Sequence, residues 1–296
     1  MTILAAFSAS RHSSAPLNLA VQLARTTGEQ VVAAAVVERA WPPRDDPVEG
    51  EYLAYVRAQA TQALQRAVAV LPVELDVIPV VHESTSIPTG LMELADAHRA
   101  TLVSVGSSSS GMIGRVALGS VTERLVHTAR VPVAFAPRGY TQTDVPIGRL
   151  TAAYGGEADV NGLIPATAEL AGAWKAKLRI VSFTVRNTAA FAGTIETSAE
   201  ELVVQQWSRR TIAEITKQLK AIRDQMAVPD VDVVVGAGHD WNAAVQSIGW
   251  ETGDMLVLGS GAAAPAAQVF LGSAAGKILR RSPVPVMIAP RYQGQE

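Results

Sequence analysis

Hydroxyls and main-chain amides are the chemistry this sequence concentrates, and it does so at two places. Residues 106–120 read GSSSSGMIGRVALGS and residues 259–273 read GSGAAAPAAQVFLGS. A glycine- and serine-rich loop that ends where a helix begins presents N–H groups with no acceptor inside the helix. The helix dipole adds partial positive charge at the same point, so the arrangement suits a phosphate or another anion. In the first copy Ser120 adds a hydroxyl, Arg115 adds a cation, and Ser120 with Thr122 is expected to cap the following helix.

Known phosphate motifs do not account for either loop. Gly106 and Gly111 have Walker A spacing, but Met112 and Ile113 stand where a lysine and a serine or threonine would reach phosphate and magnesium. Gly259, Gly261 and Ala264 imitate a dinucleotide fingerprint, yet no acidic residue follows Asp254 until Glu296 to hold a ribose. No Gly-x-Ser-x-Gly elbow occurs, the chain has no cysteine, and its five histidines are scattered without helical ligand spacing. These absences point to a binding protein with no catalytic residues and no metal, rather than an enzyme.

Composition narrows the partner. The 25 basic and 27 acidic residues leave a formal charge of −2, which gives no electrostatic reason to expect nucleic acid or an anionic membrane surface. No apolar run approaches the roughly 18 residues of a membrane span, and the apolar stretch after Met1 is short for a secretion signal. The expectation is a soluble, cytoplasmic protein whose ligand is small.

The elements that must position the loops are written twice. Residues 102–138 align without a gap to 255–291, and Ala5-Ala6-Phe7 matches Ala152-Ala153-Tyr154. In each half, short runs rich in Ala, Val and Ile alternate with helical stretches. In the first they are TILAAF (2–7), QVVAAAVV (30–37), ELDVIPVVH (74–82), TLVSV (101–105) and VPVAFA (131–136). Strands that are apolar on consecutive residues are covered on both faces, as in a parallel sheet. The reading is α/β: two tandem doubly wound five-stranded parallel-sheet domains, each of order 3-2-1-4-5, related by a pseudo-twofold. Domain one spans 1–141, QTDVPIG (142–148) is the linker, and domain two spans 149–296. The segment 41–50, WPPRDDPVEG, reads as a loop within domain one. The order 3-2-1-4-5 brings residues 8–14 and the 106–120 loop to one crevice.

The spacing Gly-x2-Gly-x9-Gly-Ser after a fourth strand, followed by a strand ending Pro-Arg, resembles the universal stress protein family, and two such domains resemble its tandem members. The resemblance implies an ATP site in the crevice, and it places the three glycines of the pattern at Gly106, Ser109 and Gly119, and at Gly259, Ala262 and Gly272. An aspartate familiar after the first strand is replaced by Ser8 and Gly155. A side chain at the middle glycine is expected to narrow the phosphate space. Domain one retains more of the pattern. There the resemblance implies phosphates at Gly106, Ser109, Gly119 and Ser120 with Arg115 nearby, and the base near Ser8 and Val36. It also implies a nucleotide-responsive or partner-binding regulatory module of the stress response, with an unidentified protein partner. Two alternatives stay open: a protein-interaction scaffold that binds no nucleotide, and a slow ATP hydrolase. In the family such edges pair between domains, so strands 131–136 and 284–289 are expected to pair within the chain, with a further homodimer left open.

Overall fold

The computed structural model of the chain describes residues 1–9, 13–39, 46–72, 74–155, 162–185, 197–259 and 272–290. The first half runs β1 (Thr2–Phe7), α1 (Ala15–Thr27), β2 (Gln30–Glu38), α2 (Pro47–Ala69), β3 (Val77–Ser84), α3 (Ile87–Ala97), β4 (Ala100–Gly106), α4 (Ser120–Thr128) and β5 (Val133–Ala136). The second repeats it as β6 (Arg149–Ala153), α5 (Leu163–Trp174), β7 (Lys177–Val185), α6 (Thr197–Arg223), β8 (Val231–Gly238), α7 (Trp241–Gln246), β9 (Asp254–Gly259), α8 (Ser273–Leu279) and β10 (Val286–Ala289). The segment expected to be a loop at 41–50 divides: 47–50 form the first turn of α2, because Pro47 suits a first helical position and the Asp46 carboxylate accepts from Val48 N–H at 2.9 Å. Residues 41–45 lie outside the described residues.

All ten strands form one sheet in the order β3-β2-β1-β4-β5-β10-β9-β6-β7-β8, which reads 3-2-1-4-5 from each outer edge inward to the centre. Pairing within each half is parallel, and at the centre β5 and β10 pair antiparallel, Phe135 opposite Val286 and Ala134 opposite Met287. Both cores continue through this junction. On one face Leu17, Ala33 and Ala134 share a cluster with Ala168 and Met287, and on the other Leu125 and Phe135 share one with Leu256 and Val286. Each short strand by itself would leave an apolar edge open, and pairing closes it.

A polar stripe on α1 binds the linker to this sheet. Asn18 Nδ2 donates to Tyr140 O at 2.9 Å, Gln22 Nε2 to Val145 O at 2.9 Å, and Arg25 to Thr143 O at 2.8 Å. Ile147 N–H donates to Thr26 Oγ1 at 2.8 Å. Positions 18, 22, 25 and 26 recur at helical spacing, so one face of α1 satisfies one linker group per turn. Where the linker enters β6, Gly148 N–H donates to Gly253 O at 2.9 Å. Gly253 has φ +92° and stands so near Pro146 O that a side chain would collide with it. At the amino ends of the domain-two strands, Asp254 accepts from Arg149 through two bonds of 2.7 Å. Buried Arg179 approaches the same carboxylate at 3.4 Å and stacks over Trp250.

Tyr140 Oη donates to Gln22 Oε1, and burial raises its pKa to about 12. The folded chain therefore holds this proton more tightly than the unfolded chain, whose tyrosines titrate near 10. The stabilisation is complete below pH ~10 and is lost as the pH rises through about 12. Ultraviolet titration should find one of the five tyrosines ionising about two units above an ordinary phenol, and Tyr140→Phe should remove that step.

Candidate functional site

Small residues at the carboxyl edge of the domain-one sheet open a space. Ala5 and Ala6 of β1 lie beside Ala33 and Ala34 of β2, and Phe7 lies beside Ala35. Helices α1 and α2 cover one face of these strands and α3 the other. With only methyl groups between them, the side chains do not fill the edge. A cavity of about 740 Å³ results, bounded by Ala34, Ala35 and Val36 below and by Leu53, Val56 and Ala60 of α2. Its size falls in the range of small-molecule sites. α3 comes close because residue 90 is glycine: a Cβ there would stand 2.7 Å from Val36 Cγ1.

The polar wall is the end of β4 and the start of α4. Gly119 is the N-cap of α4, and its N–H donates to Thr122 Oγ1 at 2.8 Å. Thr122 thus performs the back-reaching half of a capping box, while the glycine has no side chain for the other half. Ser120 does not cap, as the sequence reading had it. It is the first helical residue, is exposed and lines the cavity with Val121 and Thr122, and first-turn N–H groups such as these have no acceptor inside the helix.

Of the residues singled out from sequence, Ser8, Val36, Gly106, Gly119, Ser120 and Thr122 line one cavity. Ser109 and Arg115 are not in that lining, because the loop closes on itself and on the segment after β5. Ser108 N–H donates to Ala117 O at 2.7 Å and Ala117 N–H to Ser107 Oγ at 2.7 Å. Gly114 N–H donates to Arg138 O and Arg138 N–H to Arg115 O, both at 2.9 Å. Ser109 is carried to the exposed outer turn, so the side chain at the middle-glycine position does not narrow the space. Arg115 reaches only Gly114 O, at 3.5 Å. Arg11, His12 and the second-copy loop with Ala262 lie outside the described residues.

Sequence reading missed three contributors. Ser107 and Ser108 line the wall beside Gly119, α2 supplies Leu53, Val56 and Ala60, and α3 supplies Ile87 and Leu91. The alanine run 33–35 was the available signal, since residues that small on a covered strand leave space for something else. Glu38 and Arg66 are the charged side chains among the described lining residues. No group of three or more metal-ligating side chains occurs among the described residues.

Domain two carries larger side chains at part of the corresponding strand register. In the aligned register Ala152 lies beside Ile180 and Ala153 beside Val181, so Ile180 stands where domain one has Ala33. Ile180 packs with Tyr154, Ile164, Ile215 and Leu219, all buried. Tyr154 also accepts from Gln218 Nε2 at 3.1 Å, which fixes α6 over the strand ends.

Comparison with known proteins places this geometry in context. The sequence model of the universal stress protein family matches residues 1–137 and again 149–290. A universal stress protein of Mycobacterium tuberculosis is 31% identical over 295 residues, covering 98% of this chain and all of that protein. A universal stress protein of Archaeoglobus fulgidus superposes with a TM-score of 0.57 at 15% identity, covering 98% of this chain and 96% of its own. Another universal stress protein of Archaeoglobus fulgidus, solved in complex with dAMP, is matched by 46% of this chain and 97% of its own at 18% identity and a TM-score of 0.32.

Ser107→Ala should free the Ala117 amide and loosen the 107–118 loop. Chemical denaturation should register a loss of about 1 kcal/mol, with faster hydrogen exchange at Ala117 and unchanged exchange in β1.

Proposed function

Because the chain belongs to the universal stress protein family as a tandem two-domain member, we propose that it is a cytoplasmic, nucleotide-responsive regulatory module of the stress response. Its ligand is an adenine nucleotide, ATP in the first instance, held in domain one rather than domain two. The observation that carries the reading is the cavity itself, which joins an apolar shelf at Val36 to the first-turn N–H groups of α4 at Ser120. A purine fits the first, and the dipole and N–H groups of the second favour phosphate. Ser8 and the Ser107 and Ser108 hydroxyls supply further hydrogen bonding. In this reading the module binds rather than catalyses, and the described lining offers it hydroxyls, amides, Glu38 and Arg66. Occupancy would order the 107–118 loop, which is bonded through Arg138 to the start of the linker, and so alter the surface shown to a protein partner.

A scaffold without nucleotide is the second reading. Met112 and Ile113, 71% and 79% exposed at the loop tip, favour it, as does the missing carboxylate at Ser8.

Protein denatured after purification should release adenine nucleotide detectable by mass spectrometry. AMP or ATP at 100 times its dissociation constant should add about 2.7 kcal/mol of stability. Gly119→Val, which sets a branched side chain beside Ser108, should abolish that gain and keep the ligand-free melting temperature. No gain with either nucleotide at millimolar concentration would favour the scaffold.

A further inference from the structure

The cavity is wider than its polar wall requires, and the excess lies under α2. Among its 23 residues α2 buries only Ala60 and Leu64, whereas the 13-residue α1 buries ten. Leu53, Val56 and Ala63 are half-buried, pack at the edge of the cluster that contains Ala35 and Val37, and line the cavity together with them. In domain two the equivalent helix, α6, packs the larger Ile215 and Leu219 with Ile180. Apolar wall left open to water gains stability when an apolar group covers it. The cavity's charged lining residues are Glu38 and Arg66, both exposed, and α2 also contributes Tyr52, Gln59 and Gln62 beside the apolar Leu53, Val56, Ala60 and Ala63.

We infer that the α2 side of the domain-one cavity is an apolar subsite, and that the ligand is amphipathic, with an acyl-like body between Ala35 and Ala63 and an anionic head at the start of α4. The inference rests on the crevice being a ligand site. It adds to the nucleotide reading that a bare nucleotide leaves the α2 side unfilled and that an apolar chain attached to the head gains affinity there.

Dodecanoate, used below its micelle concentration, and AMP are the probes, each titrated calorimetrically into the full chain and into Ala63→Leu. Dodecanoate should bind. Ala63→Leu should weaken it roughly tenfold or more, since each displaced methylene changes affinity about fourfold. AMP binding should be the same in both proteins. Filling the gap should also raise the ligand-free melting temperature of Ala63→Leu. Ala60→Leu, at a fully buried position of the same wall, should repeat the result, and if it fails to fold the half-buried Ala63 position carries the test alone. Absence of dodecanoate binding, or equal affinity in wild type and Ala63→Leu, would overturn the inference. AMP binding in that case would leave the nucleotide reading intact. Dodecanoate binding that Ala63→Leu weakens, without AMP binding, would uphold the subsite and remove the nucleotide.

Discussion

The antiparallel contact of β5 with β10 is the constraint on which the rest of the molecule is arranged. Each strand is four residues long and apolar, and each begins beside a proline, Pro132 or Pro285, that cannot donate to a ladder. Alone, either would be an exposed edge. Paired, they put Phe135, Val286 and Met287 entirely out of solvent and merge two five-stranded sheets into one of ten. Burial of one such large side chain contributes about 1.5–3 kcal/mol, so the junction is held chiefly by the hydrophobic effect, with ladder hydrogen bonds fixing its register. The α1 stripe that bonds the linker then shapes the connection between the halves. It also holds Tyr140, two residues beyond Arg138, where the crevice loop is anchored.

Once the halves are joined, they differ where ligand chemistry is at stake. Domain one sets Ala33 and Ala35 on the sheet face beneath α2, and domain two sets Ile180 and Ser182 at the same register. Ligand selectivity in domain one follows from two walls of different character, one apolar along α2 and one rich in N–H and hydroxyl groups at Ser120.

The fold was legible because its signals are periodic and repeated. Continuous apolar runs marked strands covered on both faces, and the gap-free match of 102–138 to 255–291 set the two halves and their strand order. The chemistry of the loop was legible only in part. Sequence spacing placed Gly106, Gly119 and Ser120 at the crevice, since a strand end and a helix start are fixed by local rules. It could not say that Ser109 and Arg115 would be carried outward, because that depends on the Ser107–Ala117 and Arg115–Arg138 hydrogen bonds, which close the loop across ten and more residues. Nor could helical spacing in α2 distinguish residues that pack on a strand from residues that face a gap. That difference depends on small residues such as Ala35, distant in sequence and on another element.

Native-state hydrogen exchange is the most direct test of the junction. If β5 and β10 unite the halves, the amides of 133–136 and 286–289 that lie in the ladder will exchange only with global unfolding, at the same free energy as those of β1 and β6. Exchange at those positions as fast as at an unpaired edge, with β1 and β6 still protected, would show two independent domains and contradict the continuous sheet.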